Sequence, residues 1–129
     1  MNRPVHFEIH AEDMDRCEKF YTTLFGWKFT KRDGGDAEYR IIVTGEGWVG
    51  INGGMVKRKG PNPTPEMPVK AFVCTIEVES VDAKIEEAVA AGAIIAVPKM
   101  PIPGMGWLAY LIDTEKNIFG IMHNDPSAK

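Results

Sequence analysis

Three polar side chains that alternate along one short segment, His6, Glu8 and His10, are the residues best suited to chemistry near the start of the chain. The residues between them are apolar, and a period of two over Val5 to His10 predicts a β-strand with one apolar and one polar face. Imidazole and carboxylate groups can bind a ligand, exchange protons with it or coordinate a metal ion. We therefore take Glu8 as the candidate catalytic acid or base, and the two histidines as candidate ligand-binding residues.

Three roles are open for this polar face. The side chains could be hydrogen-bonded in a partly hydrated cavity, they could contact a ligand without a metal, or they could share a metal ion. Same-face neighbours lie about 6.5–7 Å apart along a strand, so a shared ion would require the side chains to bend toward it. Hydrogen bonding within a cavity is the simplest of the three interpretations.

The elements that position these residues follow a regular order in the first half of the chain. Apolar residues at steps of three and four over residues 13–26 predict an amphipathic helix, which Gly26 is suited to end. The segment Asp33 to Asp36 has the composition of a turn. Strands are predicted on either side of it and after the next glycine-rich turn, over Trp27 to Arg32, Glu38 to Thr44 and Trp48 to Lys57.

The second half repeats this order after a proline-rich linker, residues 58–68. A helix is predicted over Val81 to Gly92, and the segment Asp113 to Asn117 has the composition of a turn. Strands are predicted over Val69 to Glu79, Ala93 to Pro98, Gly106 to Asp113 and Ile118 to His123, with a polar tail from Asn124. We therefore predict one α+β domain over residues 1–129, built from two βαβββ modules at about 4–57 and 69–124.

Several motifs along the chain resemble one known superfamily. They are Phe7-Glu8-Ile9, Lys19-Phe20-Tyr21, Leu24-Phe25-Gly26-Trp27, Pro103-Gly104-Met105-Gly106-Trp107 and the stretch from Asp113 to Gly120. Together they resemble the vicinal oxygen chelate superfamily of glyoxalase I, extradiol dioxygenases and bleomycin and fosfomycin resistance proteins, and within it the lactoylglutathione-lyase-related subgroup. The resemblance implies that the modules form a cupped mixed sheet with helices outside, so that His6, Glu8 and His10 look into a cavity. It also implies a homodimer.

The same resemblance implies four metal-ligand positions, one on each of four strands. His6 occupies the first, but Val73 and Gly120 occupy two others, and the stretch Ile51 to Met55 offers no histidine or carboxylate for the fourth. One imidazole does not hold a divalent ion tightly, because His and carboxylate ligands normally act together. We therefore predict that no metal cofactor is bound, with a divalent metal as the alternative.

A small-molecule pocket is the other feature that the sequence suggests. Apolar and aromatic walls with a few polar groups are typical of such pockets, and the candidate lining residues are Trp48, Asn52, Met100 and Trp107. Packing in the core is the alternative for the tryptophans and methionines. Glycines on the predicted cavity strands could leave room for a ligand, or they could mark bulges or close strand crossings: Gly53, Gly54 and Gly120.

The charge composition of the chain limits the classes of partner that we expect. The formal net charge of −3 and the pI of about 5.6 argue against nucleic acid or an anionic membrane. No apolar run is long enough to span a bilayer, so we expect a cytoplasmic protein. Cys17 and Cys74 lack metal-binding spacing and are predicted to be buried free thiols.

Three functions are compatible with these residues. The favoured one is metal-independent binding of a small apolar or aromatic molecule in the sheet cavity. The alternative is a metal-dependent glyoxalase I-type lyase or isomerase, or a dioxygenase, with a degenerate site. The third is a subunit that acts through its surface, for which a large apolar patch would be expected.

Overall fold

A computed structural model describes residues 1–31, 38–47 and 49–129. These residues form two compact units, Met1–Asn62 and Pro63–Lys129. Each unit contains one helix and a four-stranded mixed sheet, in the order βαβββ. The predicted α+β fold of two βαβββ modules is therefore confirmed. The predicted turn Asp33 to Asp36 lies outside the described residues.

The first unit is built around helix α1, Met14–Phe25. The Asp13 side chain caps its start by accepting a hydrogen bond from the Arg16 N–H at 3.0 Å, and Gly26 ends it with a φ of 71°. Its strands are β1 (His6–Ala11), β2 (Lys28–Lys31), β3 (Tyr39–Val43) and β4 (Asn52–Lys57). They lie in the order β1-β4-β3-β2, with β1 parallel to β4.

One face of this sheet packs against α1. The apolar stripe of the helix is buried, as its spacing predicts. Three apolar side chains of the strands are buried as well, those of Ala11, Ile42 and Met55. Strand register places Phe7 and Ile9 on this side and leaves His6, Glu8 and His10 on the other. The expectation that Val5 joins the apolar face is wrong, because Val5 precedes β1 and is 79% exposed.

A buried cation ties the sheet to the helix. The Arg40 guanidinium contacts Asp15 at 2.7 Å and Glu18 at 3.4 Å. Its hydrogen bond and charge hold the pKa of Asp15 below the usual range. Burial lowers the pKa of Arg40, but the two carboxylates outweigh that effect and leave it raised. Arg40 therefore stays charged and fixes β3 against α1.

The second unit repeats the arrangement with helix α2, Val81–Ala90. The Ser80 hydroxyl accepts the Ala83 N–H at 3.2 Å, and His123 Nδ1 accepts the Val81 N–H at 2.9 Å. The strands are β5 (Thr75–Glu77), β6 (Ile94–Ile102), β7 (Gly106–Ile112) and β8 (Ile118–Asn124), in the order β5-β8-β7-β6. His123 thus joins β8 to the start of α2.

Two strands of this unit differ from their predicted lengths. The strand predicted over Val69 to Glu79 is only Thr75–Glu77, the three residues that pair with β8, and Phe72 before it is fully exposed. Strand β6 runs on past Pro98, where the predicted strand ends, and continues through Pro101 to Ile102. It is the edge strand, so an N–H lost to proline need not break a ladder bond.

Smaller differences concern burial. Val89 lies on the apolar stripe of the helix predicted over Val81 to Gly92, and we expect such a stripe to be buried, but Val89 is 48% exposed. Cys17 is buried as expected, whereas Cys74 is exposed. Ala128 in the predicted polar tail is buried and accepts a hydrogen bond from the Gly104 N–H at 3.0 Å. Among the described residues, no helix has the length and apolar character needed to cross a membrane.

Candidate functional site

The candidate site is the side of the first sheet that faces away from α1, which we call the open face of sheet 1. Strand register assigns its members from three adjacent strands. From β1 through β4 to β3 they are His6, Glu8, His10, Asn52, Gly54, Val56, Tyr39, Ile41 and Val43. The face combines titratable side chains along one strand with aliphatic side chains along another.

The polar side chains of this face form two pairs. Glu8 Oε1 lies 2.9 Å from His10 Nε2, and the Tyr39 hydroxyl lies 3.3 Å from His6 Nε2. The Glu8 and His10 side chains are 45% and 51% exposed, so both remain accessible to a ligand. The three residues that the sequence placed on one face therefore do share it, but His6 interacts with Tyr39, a residue that the sequence interpretation missed.

The glycines of β4 are explained by close packing. A Cβ on Gly53 would lie 2.4 Å from the Phe7 carbonyl oxygen, and one on Gly54 would lie 2.1 Å from the Tyr39 hydroxyl. In β8, a Cβ on Gly120 would lie 2.7 Å from Thr75 Oγ1. Protein atoms occupy the space that these glycines leave: strand backbone at Gly53, and the side chains of Tyr39 and Thr75 at Gly54 and Gly120. Contacts with neighbouring strands therefore account for all three, and room for a ligand does not.

The positions that the resemblance assigns to a metal do not carry a suitable set of donors. His6 Nε2 faces Tyr39, and Asn52 Oδ1 accepts hydrogen bonds from the Thr44 N–H at 2.9 Å and the Thr44 hydroxyl at 3.2 Å. Gly120 has no side chain, and Val73 precedes β5. Within the described part of the chain, no three His, Cys, Asp or Glu side chains lie close enough to hold an ion. One imidazole does not fit a divalent cation that needs several strong ligands.

The second sheet has an open face of its own. Met100 pairs with Leu108 and Leu108 with Met122, so these side chains share a face with Glu77. A shallow pocket of about 280 Å³ lies there, lined by Thr75, Glu77, Met122 and Asn124. Glu77 Oε1 accepts a hydrogen bond from Asn124 Nδ2 at 3.0 Å. Met100 thus shares a face with this pocket but is not among the residues that line it.

Trp107 lies on the opposite side of the second sheet, toward α2. It pairs with His123, its indole N–H donates to Asp125 Oδ2 at 2.9 Å, and the Lys99 ammonium lies 4.6 Å from its ring centre. Lys99 in turn bonds Asp82 of α2 at 2.8 Å. The structure therefore places Trp107 away from the face that carries Met100, where it had been expected to line the cavity. Trp48 lies outside the described residues.

The contacts of Asp125 lead to a prediction about pH. The Ser127 hydroxyl, the Trp107 indole and the Ser127 backbone N–H lower the pKa of Asp125 from 3.8 to about 2. Since the folded pKa lies below the unfolded one, the ionised carboxylate stabilises the fold above about pH 4. That contribution is lost as the pH falls through about 2. We expect Trp107→Phe to raise the pKa of Asp125 toward 3.8, as measured by carboxyl NMR titration.

The control for this titration is Asp82→Asn, which removes a nearby acid that does not touch Asp125. It should leave the pKa of Asp125 within about 0.3 units, since exposed charges interact weakly. A pKa that is the same in wild type and in Trp107→Phe would show that the indole contributes nothing to the ionised state.

One protein-family model matches part of the first unit. The model of the family described as bleomycin resistance protein-like N-terminal matches residues 3–45. Proteins of Mycobacterium tuberculosis and Mycobacterium bovis, both named "Putative glyoxylase CFP32", are 27% identical to this chain over 114 residues. The match covers 85% of this chain and 41% of each relative, so the chain spans about two fifths of the length of the curated relatives it matches.

Solved structures match almost the whole chain. A glyoxalase/bleomycin resistance protein/dioxygenase family enzyme from Burkholderia phytofirmans PsJN superposes with a TM-score of 0.73 at 20% identity, over 93% of this chain and 97% of that one. The fosfomycin resistance protein FosX from Listeria monocytogenes, solved with Mn(II) and sulfate, gives 0.72 at 15% identity, over 97% and 92%. TioX from Micromonospora sp. ML1 gives 0.66 at 18% identity, over 96% and 100%.

Proposed function

We propose that this chain, which has the fold of the glyoxalase/bleomycin resistance/dioxygenase superfamily, binds a small apolar or aromatic molecule without a metal ion. The observation that carries the proposal is the composition of the open face of sheet 1. Ile41 and Val43 are 41% and 37% exposed there, beside the pairs His6–Tyr39 and Glu8–His10. An apolar floor next to a few polar groups is the usual composition of a ligand site.

The poor fit of the donor positions to a divalent ion supports the metal-independent form of the proposal. We further propose that the protein is a cytoplasmic homodimer. Its partner is a small-molecule ligand, and it has no nucleic acid or membrane partner. Glu8 is the residue proposed to exchange a proton with the ligand if a reaction occurs, because its carboxylate is exposed and hydrogen-bonded to an imidazole.

A metal-dependent lyase or isomerase is the second candidate. His6 stands at the first ligand position implied by the resemblance, the curated relatives are named as glyoxylases, and FosX was solved with Mn(II). Metal content separates the two candidates. We expect less than about a tenth of a metal ion per chain in untagged protein prepared without chelator, measured by elemental mass spectrometry. About one ion per chain, lost in His6→Ala, would make the metal-dependent enzyme the leading candidate.

Ligand binding is tested with N-phenyl-1-naphthylamine, an uncharged aromatic probe whose fluorescence rises in apolar sites. We expect wild-type protein to bind it and Val43→Asp to weaken binding by about tenfold, because the substitution puts a charge in the apolar floor. The matched control is Ile95→Asp, which changes an aliphatic residue of similar exposure (44%) in the edge strand of the second sheet. Equal losses of probe affinity in the two variants would show that the probe does not bind at the open face of sheet 1.

A further inference from the structure

We propose that Tyr39 is a positioning residue that fixes His6 as a hydrogen-bond donor, so that the site takes an aromatic or apolar ligand carrying an acceptor oxygen. This inference rests on the proposed function, because it names the chemistry of the ligand at the same face. It adds two residues, Tyr39 and Gly54, that the family resemblance did not assign.

The Tyr39 side chain extends across the open face of sheet 1. Tyr39 is on β3 and His6 is on β1, and these strands are separated by β4. Even so, the Tyr39 hydroxyl reaches to 3.3 Å from His6 Nε2. The tyrosine therefore crosses over β4 on the open face and links the outer two of three adjacent strands.

A glycine, Gly54, lies beneath that crossing. A Cβ on Gly54 would lie 2.1 Å from the Tyr39 hydroxyl oxygen and 2.5 Å from Cζ. Gly54 is not among the residues with a positive φ, so its backbone conformation would accept any side chain. What requires glycine here is the space occupied by the tyrosine ring. Gly54 and Tyr39 thus act as one unit that brings a hydroxyl to His6.

The contact with Tyr39 determines the tautomer of His6. The lone pair of a neutral imidazole is a better acceptor than a phenol oxygen, so the Tyr39 hydroxyl donates to Nε2. The proton of the neutral ring then lies on Nδ1, because a hydrogen bond to one ring nitrogen sets the state of the other. His6 is left with an N–H donor at Nδ1, and a donor selects a carbonyl, carboxylate, sulfonate or phenolate oxygen of the ligand.

A negative charge lies next to this donor. Glu8, two residues along the same face, could repel an anionic oxygen. Its Oε1 is hydrogen-bonded to His10 Nε2 at 2.9 Å, which offsets part of its negative charge toward the ligand. Ile41 and Val43 supply the apolar contact on the far side of β4.

The tautomer is measured by two-bond ¹H–¹⁵N correlation of the ring nitrogens at a pH where histidine is neutral, with His6→Gln assigning the signal. We expect His6 to carry its proton on Nδ1 in wild type and on Nε2, the tautomer favoured in water, in Tyr39→Phe. Gly54→Ala should match Tyr39→Phe, and Gly45→Ala, whose Cβ meets nothing within 4 Å, should match wild type. If Gly54→Ala does not fold, Tyr39→Phe decides. An Nε2–H tautomer in wild type overturns the proposal, as does a tautomer unchanged in Tyr39→Phe.

The ligand class is measured with two probes that share one aromatic frame. 8-Anilinonaphthalene-1-sulfonate has acceptor oxygens, and N-phenyl-1-naphthylamine lacks them. We expect Tyr39→Phe to weaken binding of the sulfonate by about fivefold and to leave that of the uncharged probe within twofold. Equal effects on both probes overturn the inference while leaving the proposed function standing. If neither probe binds wild type, the proposed function and the ligand class fail together, and the tautomer alone then decides the role of Tyr39.

Discussion

Gly53→Ala is expected to lower the free energy of unfolding by about 3 kcal/mol, since overpacking a well-filled site costs roughly this much. The added methyl group would lie 2.4 Å from the Phe7 carbonyl oxygen and 2.7 Å from its ring. Phe7 is the direct partner of Gly53 in the β1–β4 ladder, so its carbonyl cannot retreat without breaking strand pairing. Its ring is held as well, since its centre lies 5.6 Å from that of Trp27.

Gly45→Ala is the matched control, because it makes the same chemical change in the same unit. A Cβ there meets nothing within 4 Å and the φ of Gly45 is not positive, so we expect a change within about 0.5 kcal/mol. Urea unfolding followed by circular dichroism measures both variants. Similar unfolding midpoints for the two would mean that β1 and β4 approach less closely than described.

The same glycines show where the sequence stops being informative. Gly53 and Gly54 within a strand pattern indicated either ligand room or close crossing, and the chain alone did not decide between them. The deciding contacts, to Phe7 and Tyr39, come from residues 46 and 15 positions away. Strand register sets those contacts, and a local pattern does not contain register.

The elements themselves were largely predictable, because each has a local cause. The period of α1, its cap at Asp13 and its end at Gly26 are all encoded within the segment that forms it. The motifs also indicated the right fold, since the resemblance extended over both modules and the predicted element order was found in each.

The errors occurred where partners outside the segment decide the outcome. Trp107 is in the predicted strand, but its pairing with His123 puts it on the α2 side. Residues 69–74 alternate like a strand, yet β8 pairs only with Thr75–Glu77. Tyr39 was within a predicted strand, and only the position of His6 across β4 gives it a role. A search for aromatic residues on the strand next to a glycine pair would have found it.

Asp113→Ala is expected to destabilise the second unit by about 3 kcal/mol, because two backbone donors would lose a charged acceptor. Asp113 is 1% exposed, and its Oδ1 accepts hydrogen bonds from the N–H groups of Glu115 at 2.8 Å and Asn117 at 2.9 Å. Its own N–H donates to the Asn117 carbonyl at 2.8 Å, which closes the turn between β7 and β8. Lys116 adopts a φ of 66° in this turn, a conformation that a non-glycine residue holds only when its surroundings enforce it.

Asp113→Asn is expected to cost about half as much, since its amide oxygen still accepts both bonds but without a charge. Asp82→Ala serves as the control: it removes an exposed aspartate whose bond to Lys99 should be worth less than about 1 kcal/mol. Thermal and urea unfolding of the three variants give the order. This turn sets the pairing of Tyr110 with Gly120, and through β8 the position of Thr75 on the open face of the second sheet. If Asp113→Ala and Asp82→Ala have the same unfolding midpoints, the strand ladder sets the register of β7 and β8 and the contacts of the turn do not.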